Sequence, residues 1–130
     1  MNLILKRFRD TCATIVEEAK VPADIVRALA PVVGDLTKRA ADFLEPSHRH
    51  SEAGKYTRNL IFAPYDNTLS FYAIVWRPGQ WTPIHDHGTW GVVGVVEGLL
   101  EEQGFVRTDD NDGANNDVGI TLAPGGLVLL

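Results

Sequence analysis

The chain has 130 residues, of which 45% are hydrophobic and 22% charged, and its formal net charge is -5. This length fits one domain with a modest core. No apolar run approaches the roughly 20 residues of a transmembrane helix, so the sequence predicts no membrane partner. The apolar residues 1–5 meet Lys6-Arg7 at once, which reverses the order of a secretory signal and predicts a cytoplasmic protein.

The charges are divided unevenly along the chain. Residues 1–58 hold ten Lys or Arg against eight Asp or Glu, whereas residues 59–130 hold two against nine. Because phosphate binding requires clustered basic side chains, the acidic second half argues against a nucleic-acid partner. Nothing in the sequence indicates the oligomeric state.

The first part of the chain has helical periodicity. Apolar residues at helical spacing predict helices over residues 8–19, 25–29 and 36–44. Pro31 is expected to end or kink the second helix. The polar tract 47–54 that follows has no periodicity and is expected to connect two kinds of architecture, with its His48 and His50 solvated rather than metal-binding.

Cys12 is the only cysteine, so the fold is expected to be held by packing alone in a reducing compartment. It lies four residues after Phe8 and three before Ile15, on the apolar stripe of the first predicted helix. This position favours a small buried side chain over a reactive thiol.

From Lys55 onward, short runs rich in β-branched and aromatic residues alternate with turn residues. They predict strands at residues 56–63, 69–76, 82–87, 91–97, 99–106 and 118–122, with a further candidate at 126–130. Turns are expected at 64–67, at 77–80 as a type II turn, and at Glu97-Gly98 as a two-residue hairpin. The acidic loop 109–117 fits a solvated hairpin tip better than a calcium site, because the glutamate that closes an EF-hand loop is missing.

This order of elements predicts a mainly β protein. Its expected architecture is an antiparallel β-barrel or double-sheet roll with a helical N-terminal cap. Residues 1–54 would form a helical region packing on a barrel of residues 55–130, within a single domain overall.

Two histidines stand out in the stretch 79–91. On a strand, residues i and i+2 point to the same face, so His85 and His87 would project side by side. Two neutral imidazoles at this spacing can bind one first-row metal ion, and a third protein ligand would complete a mononuclear Fe(II) site. The alternative is a pair of surface histidines at a strand end.

A cation in an apolar strand is the second unusual feature. Period-two geometry predicts that Arg58 shares a face with Tyr56, Leu60 and Phe62. Its planar guanidinium would be satisfied there by a carboxylate, which either the protein or a small anionic substrate could supply. Tyr56 could add a hydroxyl donor to the same group.

These residues resemble a known family. Gly79-x5-His85-x-His87 resembles the first cupin motif, and Tyr56-Thr57-Arg58-Asn59-Leu60 upstream of it is similar to the cysteine dioxygenase family of thiol dioxygenases. The resemblance covers about residues 55–107. It implies a cupin-type β-barrel, a double-stranded β-helix, and an Fe(2+) cofactor. The implied activity is oxidation of a small thiol carboxylate such as L-cysteine, or another mercapto acid, to the sulfinic acid by O2.

The resemblance also implies roles for single residues. His85 and His87 match two of the three iron-binding histidines, and Arg58, with Tyr56 beside it, matches the arginine that pairs with the substrate carboxylate. Arginine at position 58 favours cysteine as the substrate over mercaptopropionate. Gly91 stands where many cupins have a metal-binding glutamate and animal cysteine dioxygenases have a crosslinked cysteine, and this is similar to the bacterial members.

The chain departs from the family pattern at its end. No histidine follows His87, although a second cupin motif would supply the third ligand. The barrel is therefore expected to be incomplete and C-terminally truncated, and a truncated, non-catalytic cupin that binds a metal or another ligand is the alternative. A different metal cupin, such as an isomerase or a quercetinase-like enzyme, would leave the Tyr56 and Arg58 pair without a purpose.

Overall fold

The computed structural model describes the backbone of residues 2–63, 69–85, 87–106 and 116–129, and the side chains of these residues up to 103. The described elements are α1 (Leu3–Ala19), α2 (Pro22–Thr37), α3 (Ala40–Phe43), a 3-10 helix (Pro46–Arg49), β1 (Thr57–Phe62), β2 (Phe71–Trp76), β3 (Gly94–Val106) and β4 (Asn116–Leu129). The turn predicted at 64–67 and most of the acidic loop 109–117 lie outside the described residues.

Helix α1 begins at a capped residue. The Asn2 side chain accepts a hydrogen bond from the Ile4 backbone N–H at 2.7 Å, which satisfies one of the free amides of the first turn. The Asn2 amide also donates to the Asp42 carbonyl at 3.1 Å, tying α1 to α3. The buried stripe of α1 consists of Leu5, Phe8 and Cys12. Cys12 is 1% exposed, which confirms the prediction of a buried side chain.

Helix α2 does not end at Pro31, so the first of the two expected effects is wrong, while a kink at this residue stays a prediction. Pro22 starts the helix, where a missing backbone N–H has no consequence, and the helix continues through Pro31 to Thr37. The stripe of buried apolar side chains continues past the proline, through Val33 and Leu36. Their burial offsets the one backbone hydrogen bond that Pro31 cannot make.

The four described strands pair antiparallel in the order β1-β2-β4-β3. The strands predicted at 56–63 and 69–76 are confirmed as β1 and β2. The turn at 77–80 is also confirmed, because the Gln80 N–H donates to the Arg77 carbonyl and Gly79 has a φ of 81°.

The other strand predictions need correction. Residues 82–87 do not form a strand where they are described, and Pro83 in the middle of the run cannot donate to a ladder. The predicted hairpin at Glu97-Gly98 is wrong, because β3 runs through it and pairs with β4 on both sides. Gly98 has a φ of 84° inside the strand, next to a register shift between Val95 and Glu97. A positive-φ glycine can therefore serve a bulge as well as a turn.

The prediction of a mainly β chain with a cupin-type barrel is wrong. Where side chains are described, 43% of the residues are helical and 25% are in strands. The sheet is open, since β1 and β3 each pair with one neighbour among the described strands. Seven short strands were predicted. The last four merge into the two long strands β3 and β4, and the strand predicted at 82–87 does not form where its residues are described. The four strands among the described residues are too few to close a barrel.

The helices and the sheet share a hydrophobic core. The helices pack on one face of β1 and β2, and the buried cluster joins Phe8 of α1 and Leu29 of α2 to Phe62, Phe71 and Ala73 of the sheet. The opposite face carries a smaller cluster of Ile74 and Trp76, with Tyr56, Tyr72 and Leu100 packed against it. Among the described residues, no helix has the length and apolar character needed to cross a bilayer.

Candidate functional site

The two predicted metal ligands lie in an irregular segment between β2 and β3. His85 is half-buried and His87 is exposed. Their ring centroids are 5.0 Å apart with an interplanar angle of 75°. The imidazoles are therefore neighbours even though the strand that was expected to place them side by side does not form.

One hydrogen bond determines the tautomer of His85. Its Nδ1 lies 2.6 Å from the Pro83 carbonyl oxygen, and a carbonyl only accepts, so Nδ1 must carry the proton. In the neutral ring, the lone pair is then on Nε2. Ligating histidines in metalloproteins usually have this arrangement, in which one nitrogen donates to a carbonyl and the other binds the ion.

The fit to iron is partial. Within residues 2–63, 69–85 and 87–103, no group of three or more His, Cys, Asp or Glu side chains is arranged to hold a metal ion. His85 and His87 can supply two nitrogen ligands, and the third ligand of a facial set is not among these residues.

The remaining histidines, His48 and His50, have local roles. His48 Nδ1 accepts a hydrogen bond from the Glu45 backbone N–H at 3.1 Å and caps the 3-10 helix. The His50 side chain is 60% exposed, and its Nε2 lies 3.4 Å from a Glu52 carboxylate oxygen. His50 is solvated as predicted, whereas His48 is half-buried.

Arg58 lies on the face of the sheet that is opposite the helices, and it is exposed. Its guanidinium carbon is 4.6 Å from the centre of the Tyr72 ring, a cation–π contact across the β1–β2 pair. Leu60 shares this exposed side of β1, but Phe62 does not. A register shift between Leu60 and Phe62 turns the Phe62 ring into the helix-packed core, so period-two reasoning fails at this bulge.

Tyr56 and Arg58 line one open cavity of about 430 Å³. Lys55 adds a second cation to its wall, and Glu52 adds a carboxylate that faces His50. Among the described residues, no carboxylate forms an ion pair with Arg58. The sequence left two partners open for this guanidinium, a carboxylate of the protein and one of a small anionic substrate. The described part of the protein does not supply the first.

The histidine pair and the described wall of the arginine cavity consist of different residues. Neither His85 nor His87 is among the described residues that line the cavity at Arg58. Tyr72, whose ring contacts Arg58, and Trp90, three residues after His87, both line a second cavity.

Sequence reasoning missed the aromatic support of Tyr56 and Arg58. The Tyr56 ring stacks on Trp76 with a centroid distance of 5.3 Å and an angle of 18°. Trp76 is 4% exposed, and its indole Nε1–H has no hydrogen-bond partner among the described residues. The sequence contained this signal, because Tyr72 and Trp76 lie on the same face of β2. When the two predicted strands are paired, both side chains lie next to side chains of the first strand.

A search of protein-family models found none that matches this sequence.

Proposed function

We propose that this chain is a non-haem Fe(II)-dependent thiol dioxygenase that oxidises a small thiol carboxylate, such as L-cysteine, to its sulfinic acid with O2. The observation that carries the proposal is the neighbouring pair of His85 and His87, in which the proton on His85 Nδ1 leaves Nε2 free for a metal ion. The resemblance of the residues around Arg58 and His85 to cysteine dioxygenases supports the same reaction.

Each residue has a distinct task in this proposal. His85 and His87 would hold the iron, which would supply the redox chemistry that joins O2 to the sulfur. Both oxygen atoms end on the sulfur, so the thiol loses the electrons that O2 gains and no other reductant is needed. Arg58 would bind the substrate carboxylate through paired N–H donors, and the Tyr56 hydroxyl would donate to the same group.

The charge balance of the cavity supports an anionic substrate. Arg58 and Lys55 both line it, while its one described carboxylate, on Glu52, already faces His50. A guanidinium that has no counter-ion in the described protein is available to a ligand carboxylate. Packing against Tyr72 holds the guanidinium in place before the ligand arrives, so less entropy is lost on binding.

Iron binding tests the histidine assignment directly. Purified protein is loaded with ferrous iron under anaerobic conditions, passed through a desalting column and assayed for bound metal. His85→Ala and His87→Ala are expected to lose the iron because each removes one of the few available ligands. The matched control is His50→Ala, an exposed histidine outside the pair that should leave the iron content unchanged. Stoichiometric iron in His85→Ala would contradict the assignment.

Turnover distinguishes an enzyme from a binding protein. With iron and cysteine, the dioxygenase proposal expects O2 consumption matched one-to-one by sulfinate in mass spectrometry. The second candidate is a non-catalytic protein that binds a metal or another ligand, and the finding of only two histidine ligands in the described residues favours it. Bound iron without any sulfinate would establish that candidate instead.

Arg58→Ala tests the carboxylate site. Loss of a charge-assisted pair costs about 1.5–3 kcal/mol, so KM for cysteine should rise by roughly tenfold or more while the iron content stays constant. Lys55→Ala, which removes a neighbouring cation from the same cavity wall, should have a smaller effect. Equal loss of iron and activity in Arg58→Ala would show a structural role.

A further inference from the structure

A second cavity, partly open to solvent, lies against the hydrophobic core, and neither Arg58 nor the histidine pair is among its described lining residues. Its volume is about 210 Å³, and it lies between α1, α2, the start of β2 and the segment 89–92. Phe8 and Cys12 contribute the wall on the α1 side, and Leu29 and Val33 contribute the wall on the α2 side. The cavity is thus bounded by parts of the chain that are distant in sequence.

The inner wall is apolar and the outer wall is polar. Cys12 and Leu29 are 1% and 2% exposed, so the inner wall consists of apolar side chains and one weakly polar thiol. Ser70 and Thr89, which also line the cavity, are exposed and carry hydroxyl groups.

We propose that this cavity is a binding site for a small neutral molecule about the size of one aromatic ring. An enclosed apolar cavity of roughly 150 Å³ takes up benzene, so the volume of this partly open cavity, about 210 Å³, admits a ring with a small substituent. Ser70 and Thr89 at the outer end would accept a polar substituent, as in a phenol. The proposal does not depend on iron or on Arg58.

The test uses benzene and phenol as probes of the full chain. Saturable shifts of the Leu29 and Val33 methyl signals in NMR spectra, with nuclear Overhauser contacts from the ligand to Val33, are expected, together with a rise in Tm. Phenol should bind more tightly than benzene because of the hydroxyl groups at the outer end. Shifts that do not saturate, or that spread over surface residues, would overturn the proposal.

Filling the cavity provides a matched comparison. Gly91 lines the cavity where it opens to solvent, and a Cβ at this position meets no heavy atom within 4 Å, so the leucine of Gly91→Leu has room to cover the opening and should weaken binding. Gly34 on α2 is exposed and equally unobstructed, so Gly34→Leu should bind as the wild type does. Cys12→Met fills the cavity from α1 and gives a second variant. Wild-type binding by either folded filling variant would place the ligand elsewhere and overturn the site.

Discussion

Cys12 shows how burial alone changes the chemistry of a side chain. It is 1% exposed, and desolvation raises the pKa of its thiol from its ordinary value of 9.0 to about 12. The thiolate is the nucleophilic form, so the folded protein should react with iodoacetamide far more slowly than the same chain in urea. Equal rates in the two states would contradict the buried position.

The same pKa shift predicts a pH dependence of stability. The folded state holds the thiol proton more tightly than the unfolded state, so this stabilisation is complete below pH 9.0 and is lost as the pH rises towards about 12. Cys12→Ala lacks the titrating group but leaves a small void, so it should be less stable than wild type at neutral pH. We expect the difference in urea midpoint between the two proteins to shrink above pH 9.0. A difference that stays constant with pH would refute the linkage.

The sequence was informative for Cys12 and less so for Arg58. Helical spacing identified the buried stripe of α1 because one helix face contacts the core along its whole length. Period two placed Arg58 on one face with Tyr56 and Leu60, but it wrongly added Phe62 to that face and could not show whether anything covers it. The exposure of Arg58 depends on the arrangement of the sheet, which is set by contacts distant in sequence.

At the scale of elements, Gly94 controls how closely α2 approaches β3. A Cβ at Gly94 would lie 2.5 Å from Thr37 Cγ2 and 2.9 Å from Val33 Cγ1, both on short branched side chains that cannot move away. Gly94→Ala should therefore lower the free energy of unfolding by about 1–3 kcal/mol, measured by urea denaturation.

Two further variants isolate the cause. Thr37→Ser removes the clashing methyl but keeps the hydroxyl that donates to the Gly34 carbonyl, so it should recover part of the loss in the Gly94→Ala background. Gly34→Ala is the control within α2, where an unobstructed methyl should stabilise the helix by about 0.5–1 kcal/mol. No loss in Gly94→Ala would mean that α2 and β3 are not in close contact.

Local signals located the individual elements better than they located their ends. The turn at 77–80 was predictable, since a proline followed by a glycine matches the type II turn. The Glu97-Gly98 pair carried a similar signal, but pairing of β3 with β4 over its whole length outweighed it. The strand predicted at 82–87 failed at Pro83, whose missing N–H should have counted against it. His85 and His87 are neighbours nevertheless, because two residues separated by only one other residue stay close in an extended or irregular backbone.

At the scale of the whole molecule, the predicted barrel failed because the helices were treated as a cap. The helices contribute much of the buried cluster, and one face of β1 and β2 packs against them. Periodicity shows that a helix has an apolar face, but it does not show which element covers that face. The sequence therefore identified most of the elements and the histidine pair, while the layer arrangement and the residues that line the Arg58 cavity required the structure.

Phe8 is the side chain that joins the two layers. Its ring lies 4.8 Å from Phe71 and 6.3 Å from Phe62, and these two rings are 5.3 Å from each other. Phe8→Ala should cost about 3–5 kcal/mol, a large part of the stability of a domain of this size. Since the contact is shared, helix content by circular dichroism and tryptophan fluorescence from the sheet should both be lost at one lower urea concentration.

The matched control for Phe8→Ala is Leu3→Ala in the same helix, because Leu3 is 60% exposed and should change stability by less than about 0.5 kcal/mol. If the helical signal of Phe8→Ala shifts to lower urea while the fluorescence transition stays in place, the helices and the sheet fold separately. A single transition for both signals requires that residues 3–43 and the sheet are stabilised by the same core, and the three phenylalanine rings are the contact through which this coupling acts.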